Sequence, residues 1–287
     1  KTSKSLRIQF EKKLNSNKED VPFPGYEALS EEMNERPASI ILTITDSEGN
    51  HIRNVKKNAS NGSGRIAWNL RHKSYYPVRA GRAQSNWWWN PSGPYVTPGQ
   101  YTANLYLENN GSIEKLDGPV EFNVKPLRAG TLEGASHDEY NSFRERISSL
   151  YIEMSKYQDE FNMMENKVQL LEKASMQLEE FSPELMKKIS DFKAKYNAFD
   201  SDTNGNDARS EIGEWDKVTI STRVQIAMQG LSTSYGPTDL NKSNLEIAEK
   251  LFKKLAADVK MFKSDLETLE NEVKELNPPH LSGTGIN

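Results

Sequence analysis

The chain has 287 residues, of which 35% are hydrophobic and 27% charged, with a net charge of −4 and no cysteine. This length is enough for about two domains that each bury a core of their own. The lack of cysteine excludes disulfides, thiolate metal sites and a cysteine nucleophile. The acidic balance argues against nucleic acid as a partner, and no apolar run approaches the roughly 20 residues that span a bilayer. The chain begins at Lys1 and shows no signal peptide, which indicates a processed chain or part of a longer protein.

Short alternating segments dominate the first 126 residues. Residues 5–10 alternate between apolar and polar side chains and predict a first strand. The polar stretch that follows, residues 15–37, predicts a long loop with one short helix near residues 26–33. Further strands are predicted at residues 39–45, 51–55, 65–70, 99–107 and 120–124. About seven short strands at this spacing predict an antiparallel β-sandwich of the Ig or fibronectin type over residues 1–126.

From residue 127 onward the apolar residues follow one another in steps of three and four, which is typical of helices. A first long seam consists of Phe143, Ile147, Leu150, Met154, Tyr157, Phe161, Met164, Val168, Leu171 and Leu178. A second consists of Leu245, Ala248, Phe252, Leu255, Val259, Phe262, Leu266, Leu269, Val273 and Leu276. Between the seams, Ser182 and Pro183 predict the start of a shorter helix. A polar loop is predicted at residues 200–216, and another short helix at residues 218–229.

These four helices, each with one apolar stripe, predict an antiparallel up-down bundle with two long helices over residues 127–287. A coiled-coil dimer is the alternative interpretation. Because both seams lie in one chain and can cover each other, the bundle within one chain is favoured and a monomer is expected. The predicted fold class is therefore α+β and multidomain, a sandwich followed by a bundle.

Three segments before the helices resemble a known family. They read LTITDSEGNHIR at residues 42–53, GRIAWNLR at residues 64–71 and TPGQYTA at residues 97–103. Together with the long helices that follow, they resemble the C-terminal region of bacterial BNR-repeat, sortilin-type propeller proteins, which are often labelled glycosyl hydrolases. The family usually has Asp where Asn69 stands. The sandwich part also resembles the Ig-like domain of flagellar hook-capping proteins.

The resemblance implies a function as well as a fold. In that family a propeller precedes this region and holds any catalytic or main ligand site, so no catalytic residue is assigned in this chain. The favoured function is a non-catalytic accessory or scaffold region of an exported, extracytoplasmic protein, with a propeller domain or another protein as partner. One alternative is a carbohydrate-binding module, and another is a glycoside hydrolase with a site at the junction of sandwich and bundle.

A Trp-rich insert at residues 72–96 is the best candidate for a binding surface. The candidate ligand-binding residues are Tyr76, Arg79, Arg82, Trp87, Trp88 and Trp89. Three consecutive Trp side chains cannot all face one way on a strand, so at least one is expected near the surface, where it can stack on a sugar ring. Alternatively, the rings cover the edge of the sandwich or pack on the helices or on another domain. Stacking on nucleic acid is the interpretation that the charge balance favours least.

A second motif is the segment DSDTNGNDARSE at residues 200–211, which matches the pattern of a calcium-binding loop. Its candidate ligands for a calcium cofactor are Asp200, Asp202, Asn204, Asn206 and Glu211, because oxygens at alternate positions can wrap one cation. The alternative is a solvated connection between helices whose polar residues match by chance.

Other noticeable residues favour packing over chemistry. Trp68 and Tyr101 are interpreted as core residues of the sandwich, and Arg71 is expected to pair with a carboxylate or to lay its stem on Trp68. The four histidines show no metal-ligand spacing. Neither a Gly-rich phosphate loop nor a G-x-S-x-G elbow occurs.

Overall fold

A computed structural model describes residues 6–16, 23, 25–34, 36–60, 62–78, 92–128, 130 and 133–279. The chain divides into two compact units. The first, the sheet unit, comprises Lys1–Ser74 and Ser92–Ala129, and the second, the helical unit, comprises Tyr75–Pro91 and Gly130–Asn287. An antiparallel sheet and long helices make the protein an α+β structure, as predicted.

The described elements follow in chain order. In the sheet unit they are α1 (Leu6–Ser16), α2 (Tyr26–Asn34), β1 (Ser39–Asp46), β2 (His51–Asn58), β3 (Gly99–Asn109) and β4 (Ser112–Val124). In the helical unit they are α3 (His137–Ser175), α4 (Pro183–Asn204), α5 (Asp207–Glu211), α6 (Ile220–Gln229) and α7 (Asp239–Glu275).

The four strands form one antiparallel sheet in the order β2-β1-β3-β4. Ile44 of β1 lies between Arg53 of β2 and Ala103 of β3, and the register shifts at Thr45, where β2 contains a bulge. The strands predicted at residues 39–45, 51–55, 99–107 and 120–124 are thereby confirmed. Within the described residues there is this one sheet and not the two layers of a sandwich.

One face of the sheet is covered by the irregular segment between β2 and β3. The core residues on this side are Ile44, Ile52, Val96 and Tyr101, with Leu42, Trp68, Ala103, Phe122 and Val124 packed around them. The Trp68 ring lies edge-on to Tyr101, at 5.5 Å between centroids, and to Phe122 at 6.1 Å. The prediction that Trp68 and Tyr101 are core residues is confirmed.

Two predicted strands are wrong. Residues 6–16 form helix α1, because the apolar alternation spans too few residues to select a strand and the sequence continues through Glu11, Lys12 and Lys13, which favour helix. Residues 65–70 form no strand, and Leu70 at the end of this segment has a positive φ of 57° that turns the backbone. The first pairing after this turn is a single bridge between Arg71 and Tyr95. The short helix predicted near residues 26–33 is confirmed as α2.

The helical unit is an up-down-up bundle in which α4 and α6 together form the middle column. Helix α4 is antiparallel to α3, because its start meets the end of α3 at Ser175 and Met186, while Tyr196 reaches back to Glu165. Helix α6 is antiparallel to α7, because two contacts join them in reverse order. The Arg223 side chain donates to Asn244 Oδ1 at 3.1 Å, and Ile226, further along α6, accepts from the earlier Asn241 at 2.6 Å. Consecutive columns are therefore antiparallel. Because α4 and α6 run in the same direction, the predicted alternation of four helices is wrong between these two.

The two long helices α3 and α7 run parallel, so the expectation that they pack antiparallel is wrong. Four ion pairs connect them, each between residues 103 apart in sequence: Glu139–Lys242, Arg146–Glu249, Glu160–Lys263 and Lys167–Glu270. A constant difference is possible only for parallel helices in register. The physical reason is that the middle column returns the chain to the end from which α3 started.

Capping residues explain where the helices of this unit begin. The side chains of Ser136, Ser182, Thr219 and Thr238 accept backbone N–H bonds at the starts of α3, α4, α6 and α7. Pro183 follows Ser182 as predicted. The loop predicted at residues 200–216 is wrong in its first part, because α4 continues to Asn204 before Gly205 ends it with a φ of 100°.

Candidate functional site

Most of the predicted ligand-binding residues lie outside the described residues. These are Arg79, Arg82, Trp87, Trp88 and Trp89. Tyr76 is described, half-buried and stacked on Tyr75 at 5.3 Å between ring centroids. Both rings lie edge-on to Tyr151 of α3, at 5.2 Å for Tyr75 and 5.1 Å for Tyr76. Tyr75 and Tyr76 therefore pack against helix α3 within the helical unit.

The predicted calcium ligands lie on helices rather than in an open loop. Asp200, Asp202 and Asn204 occupy the last turns of α4, where alternate residues point to different sides of the helix. Asp202 forms an ion pair with Lys217, and Asn206 caps α5. The fifth candidate ligand, Glu211, is the last residue of α5.

Among the residues that the structure describes, no group of three or more His, Cys, Asp or Glu side chains is arranged to hold a metal ion. Calcium binding stays a prediction.

Two arginines come together on the covered side of the sheet unit, and we call them the arginine pair: Arg53 of β2 and Arg71 of the segment that follows. Arg53 Nη1 donates to the carbonyl oxygen of His72 at 3.2 Å. Arg71 Nη1 donates to the carbonyl oxygen of Gly93 at 3.2 Å, and its guanidinium lies 3.8 Å above the ring centre of Tyr95. Both side chains are thus held by backbone and ring contacts.

A short backbone ladder fixes the two carbonyl groups to which the arginine pair donates. The N–H of Gly93 donates to the carbonyl oxygen of His72 at 3.1 Å, and the N–H of His72 donates to Pro94 at 2.9 Å. Lys73 in turn donates its N–H to Ile52 of β2 at 2.8 Å. The carbonyl groups that accept from Arg53 and Arg71 therefore belong to His72 and Gly93, which are hydrogen-bonded to each other, and this keeps the two guanidinium groups near one another.

The electrostatics of the arginine pair are unusual. Partial burial, and then the charge of Arg71, lower the pKa of the Arg53 guanidinium below its ordinary value. Within the described part of the chain neither guanidinium forms an ion pair with a carboxylate. The carboxylate partner predicted for Arg71 is therefore not found there, and Trp68 instead donates its indole N–H to the Arg71 carbonyl oxygen at 2.9 Å.

Sequence reasoning missed Arg53, Gly93 and Tyr95 at this place. Arg53 belongs to a predicted strand, and only its hydrogen bond to the carbonyl oxygen of His72 shows that it lies beside the later segment. For Gly93 the signal is steric, because an added Cβ would clash with the Lys73 carbonyl oxygen and lie 2.9 Å from that of His72. The close approach of Gly93 to residues 72 and 73 depends on the backbone hydrogen bonds between the two segments, which the sequence does not reveal.

A polar cleft of about 300 Å³ lies in the helical unit where α3 and α7 begin. Its lining includes Glu133, Glu139, Asp239 and Lys242. Lys242 forms an ion pair with Glu139, and this hydrogen bond lowers the pKa of Glu139 and raises that of Lys242. Lys242 is thus already paired with Glu139, and Asp239 Oδ1 lies 3.9 Å from its ammonium nitrogen.

The bundle contains two tyrosines whose pKa values are shifted. Tyr196 stacks on Phe161 at 4.1 Å, and Phe161 stacks on Tyr157 at 5.6 Å. Burial raises the pKa of both tyrosines, and for Tyr196 the bond from its hydroxyl to Glu165 raises it further. Both phenols stay protonated near neutral pH, so their arrangement suits packing rather than proton transfer.

Comparisons with known proteins gave no match, whether to protein-family models, to curated proteins or to solved structures. None of the helices in the described part combines the length and the apolar character needed to cross a membrane.

Proposed function

We propose that this chain is a non-catalytic scaffold region of an exported bacterial protein of the BNR-propeller type, which braces the propeller or presents a surface to a partner protein. The three segments quoted above support the kinship with that family. The sheet unit is proposed to be an Ig-like module, and the helical unit its rigid companion.

The observation on which the scaffold function depends is the in-register pairing of α3 and α7. Helix α3 has 39 residues and α7 has 37, which corresponds to about 55–58 Å at 1.5 Å per residue. The four ion pairs are distributed from Glu139 near one end to Glu270 near the other. Ion pairs near both ends and between them favour one register of the two helices, as a spacer requires.

The Ig-like assignment is supported by Tyr101. Its hydroxyl donates to the carbonyl oxygen of Thr97, four residues upstream, at 2.6 Å, while its ring is buried in the core. In Ig-type sandwiches a tyrosine near the start of a strand makes a comparable bond to the backbone just before it. The similarity to Ig-type domains is thus limited to the Tyr101 hydrogen bond at the start of β3.

Chemical cross-linking of the native protein from its source tests the scaffold function. Exposed lysines such as Lys187, Lys193, Lys250 and Lys260 cover the helical unit. We expect an amine-reactive reagent to join some of them to peptides of propeller blades or of a partner protein. Links confined to this chain, or a native protein without propeller blades, would contradict the proposal.

A second candidate function is carbohydrate binding by the Trp-rich insert. It is favoured by the packing of Tyr75 and Tyr76 on Tyr151, because a segment anchored at its beginning loses less conformational freedom when it binds a ligand. Affinity electrophoresis against a panel of soluble polysaccharides tests it, with a triple alanine variant of residues 87–89 alongside. Retardation of the wild type alone would establish the insert as a binding site, and no retardation of either protein would leave the scaffold function.

A further inference from the structure

We propose that the arginine pair, Arg53 and Arg71, is a binding site for an oxyanion, a carboxylate or a tetrahedral phosphate or sulfate group, presented by a ligand of this protein. This inference goes beyond the scaffold function and does not depend on it. It concerns residues of the sheet unit alone.

The first argument is that both guanidinium groups are already oriented. Each uses one N–H group to hold a backbone carbonyl, His72 for Arg53 and Gly93 for Arg71, at 3.2 Å in both cases. A guanidinium has five N–H donors in a planar fork, so each retains donors for another group. The Tyr95 ring beneath Arg71 supports the plane of that fork.

The second argument is the charge. Two half-buried cations that lie close together repel each other, and their burial removes part of the water that would solvate them. Such a pair is commonly stabilised by carboxylates, yet in the part of the chain that the structure describes neither guanidinium has one as an ion-pair partner. An oxyanion from outside would remove the repulsion and satisfy the remaining donors.

The third argument is the rigidity of the backbone that positions the arginine pair. The ladder from Leu70 to Lys73 and from Gly93 to Val96 is tied to β2 through the Lys73–Ile52 bond at 2.8 Å. Gly93 leaves no space for a side chain at the closest approach of the two segments. A ligand therefore meets donors that are held in place before it binds, which favours recognition of a planar or tetrahedral oxyanion.

Nuclear magnetic resonance of the ¹⁵N-labelled protein tests the proposal, with the arginine Nε–H signals as the readout. The probes are trigalacturonate for carboxylates, and inorganic phosphate and inorganic sulfate for tetrahedral anions, each added at constant ionic strength maintained with chloride. We expect saturable shifts of the Arg53 and Arg71 signals. Saturation by trigalacturonate alone identifies a carboxylate ligand, and saturation by phosphate or sulfate identifies a tetrahedral one.

Matched variants show whether the two guanidinium groups are responsible for binding the anion. Arg71→Lys and Arg53→Lys keep the charge and remove the fork, and each is expected to weaken the apparent affinity about tenfold. Arg65→Lys, an exposed position in the same unit, is expected to leave it within about twofold.

The absence of a saturable shift with all three probes in the wild type would overturn the proposal, as would equal shifts at Arg65. Because the titration of the wild type decides the question by itself, a variant that fails to fold does not affect the test.

Discussion

Tyr101 shows how one side chain stabilises the sheet unit both by packing and by hydrogen bonding. Its ring contacts Trp68 and Phe122, and its hydroxyl donates to the Thr97 carbonyl oxygen at 2.6 Å. The side chain is 5% exposed, so water cannot easily replace the lost bond. A change at this hydroxyl therefore separates the two contributions.

Tyr101→Phe is expected to lower the free energy of unfolding by about 1–2 kcal/mol, because it retains the ring but leaves the Thr97 carbonyl oxygen without its donor. Equilibrium unfolding in urea, followed by Trp fluorescence, measures the change. Tyr106→Phe on the same strand is the control, since Tyr106 is half-buried with no such bond to the Thr97 segment. Equal effects at both positions would show that the hydroxyl bond contributes nothing.

Gly93 is the second residue whose chemistry can be tested in isolation. An added Cβ at Gly93 would meet two carbonyl oxygens of the opposite segment, whereas at Gly64 it would lie 3.8 Å from Ser60 Oγ, an ordinary contact. Gly93→Ala is therefore expected to cost about 1–3 kcal/mol, and Gly64→Ala to change stability by less than about 1 kcal/mol in either direction. Thermal unfolding of both variants compares them, and a neutral Gly93→Ala would mean that the ladder is looser than described.

Among the elements, the turn between α6 and α7 depends on one buried amide. Asn241, 7% exposed, accepts from the N–H and the hydroxyl of Thr238 and donates to the Ile226 carbonyl oxygen at 2.6 Å. It thus completes the capping box of α7 and ties that helix to α6. Asn271, further along α7, is exposed and lies far from this turn.

Asn241→Ala is expected to lower the free energy of unfolding of the bundle by about 2–3 kcal/mol, because it leaves buried backbone groups of both helices without partners. Asn271→Ala is expected to have an effect of less than about 0.5 kcal/mol, with a slight gain from helix propensity. Chemical unfolding monitored by far-ultraviolet circular dichroism gives both values. Similar losses at the two positions would contradict a special role for Asn241.

The pairing of α3 with α7 includes one acid whose titration should be visible. Burial acts to raise the pKa of Glu270, but the bonds and charges of Lys167 and Lys274 outweigh it, so its pKa lies below the ordinary value. A carboxyl group whose pKa is lowered in the folded state stabilises that state above its unfolded pKa, which is about 4.3 for Glu. This stabilisation is lost as the pH falls through the folded pKa.

Glu270→Gln is therefore expected to be less stable than the wild type at pH 7, by about 1–2 kcal/mol, and the difference should close as the pH falls below about 4. Urea unfolding at a series of pH values measures it. Glu275→Gln on the same helix is the control, because Glu275 is exposed and outside the described ion pairs. A difference that does not depend on pH would show that the charge of Glu270 is not responsible.

At the level of elements, the sequence predicted helices better than strands. Each predicted apolar seam has ten positions, of which nine lie on α3 and nine on α7, a regularity too long to arise by chance. Ser182 with Pro183 marked the start of α4 correctly. The segment at residues 5–10 misled because a short alternation is compatible with a helix when strong helix formers follow. Residues 65–70 alternate as a strand does, but the backbone turns at Leu70 and the segment forms no strand.

For the whole molecule, what the sequence could not predict is the direction in which elements pair. A seam shows which face of a helix is buried but not whether its partner runs parallel or antiparallel. The direction of α7 follows from α4 and α6, which together form one column of the bundle. The polar residues between α4 and α6 gave no sign in the sequence that these two helices continue in the same direction. The arginine pair was hidden for the same reason, since Arg53 and Arg71 are brought together by tertiary contacts and not by a motif.

The parallel direction of α3 and α7 can be tested by distances between spin labels, because a chain without cysteine accepts labels only where a cysteine is introduced. In the parallel register, residue 173 of α3 lies beside residue 275 of α7, near the C-terminal ends of both helices. Residue 246 of α7 lies near the N-terminal ends, about 30 residues away along the bundle axis. Lys173, Glu246 and Glu275 are exposed, so labels there do not disturb the core.

Double electron–electron resonance on Lys173→Cys with Glu275→Cys is expected to give a distance below about 25 Å, since packed helix axes lie 8–10 Å apart. Lys173→Cys with Glu246→Cys is expected to give about 45 Å, because some 30 residues at 1.5 Å each separate their levels. An antiparallel pair of long helices would reverse the order, with the longer distance for residue 275. The narrowness of the two distributions adds a second result: a spacer that holds its ends at fixed separation requires both to be narrow, and a broad distribution at the longer distance would count against the scaffold function itself.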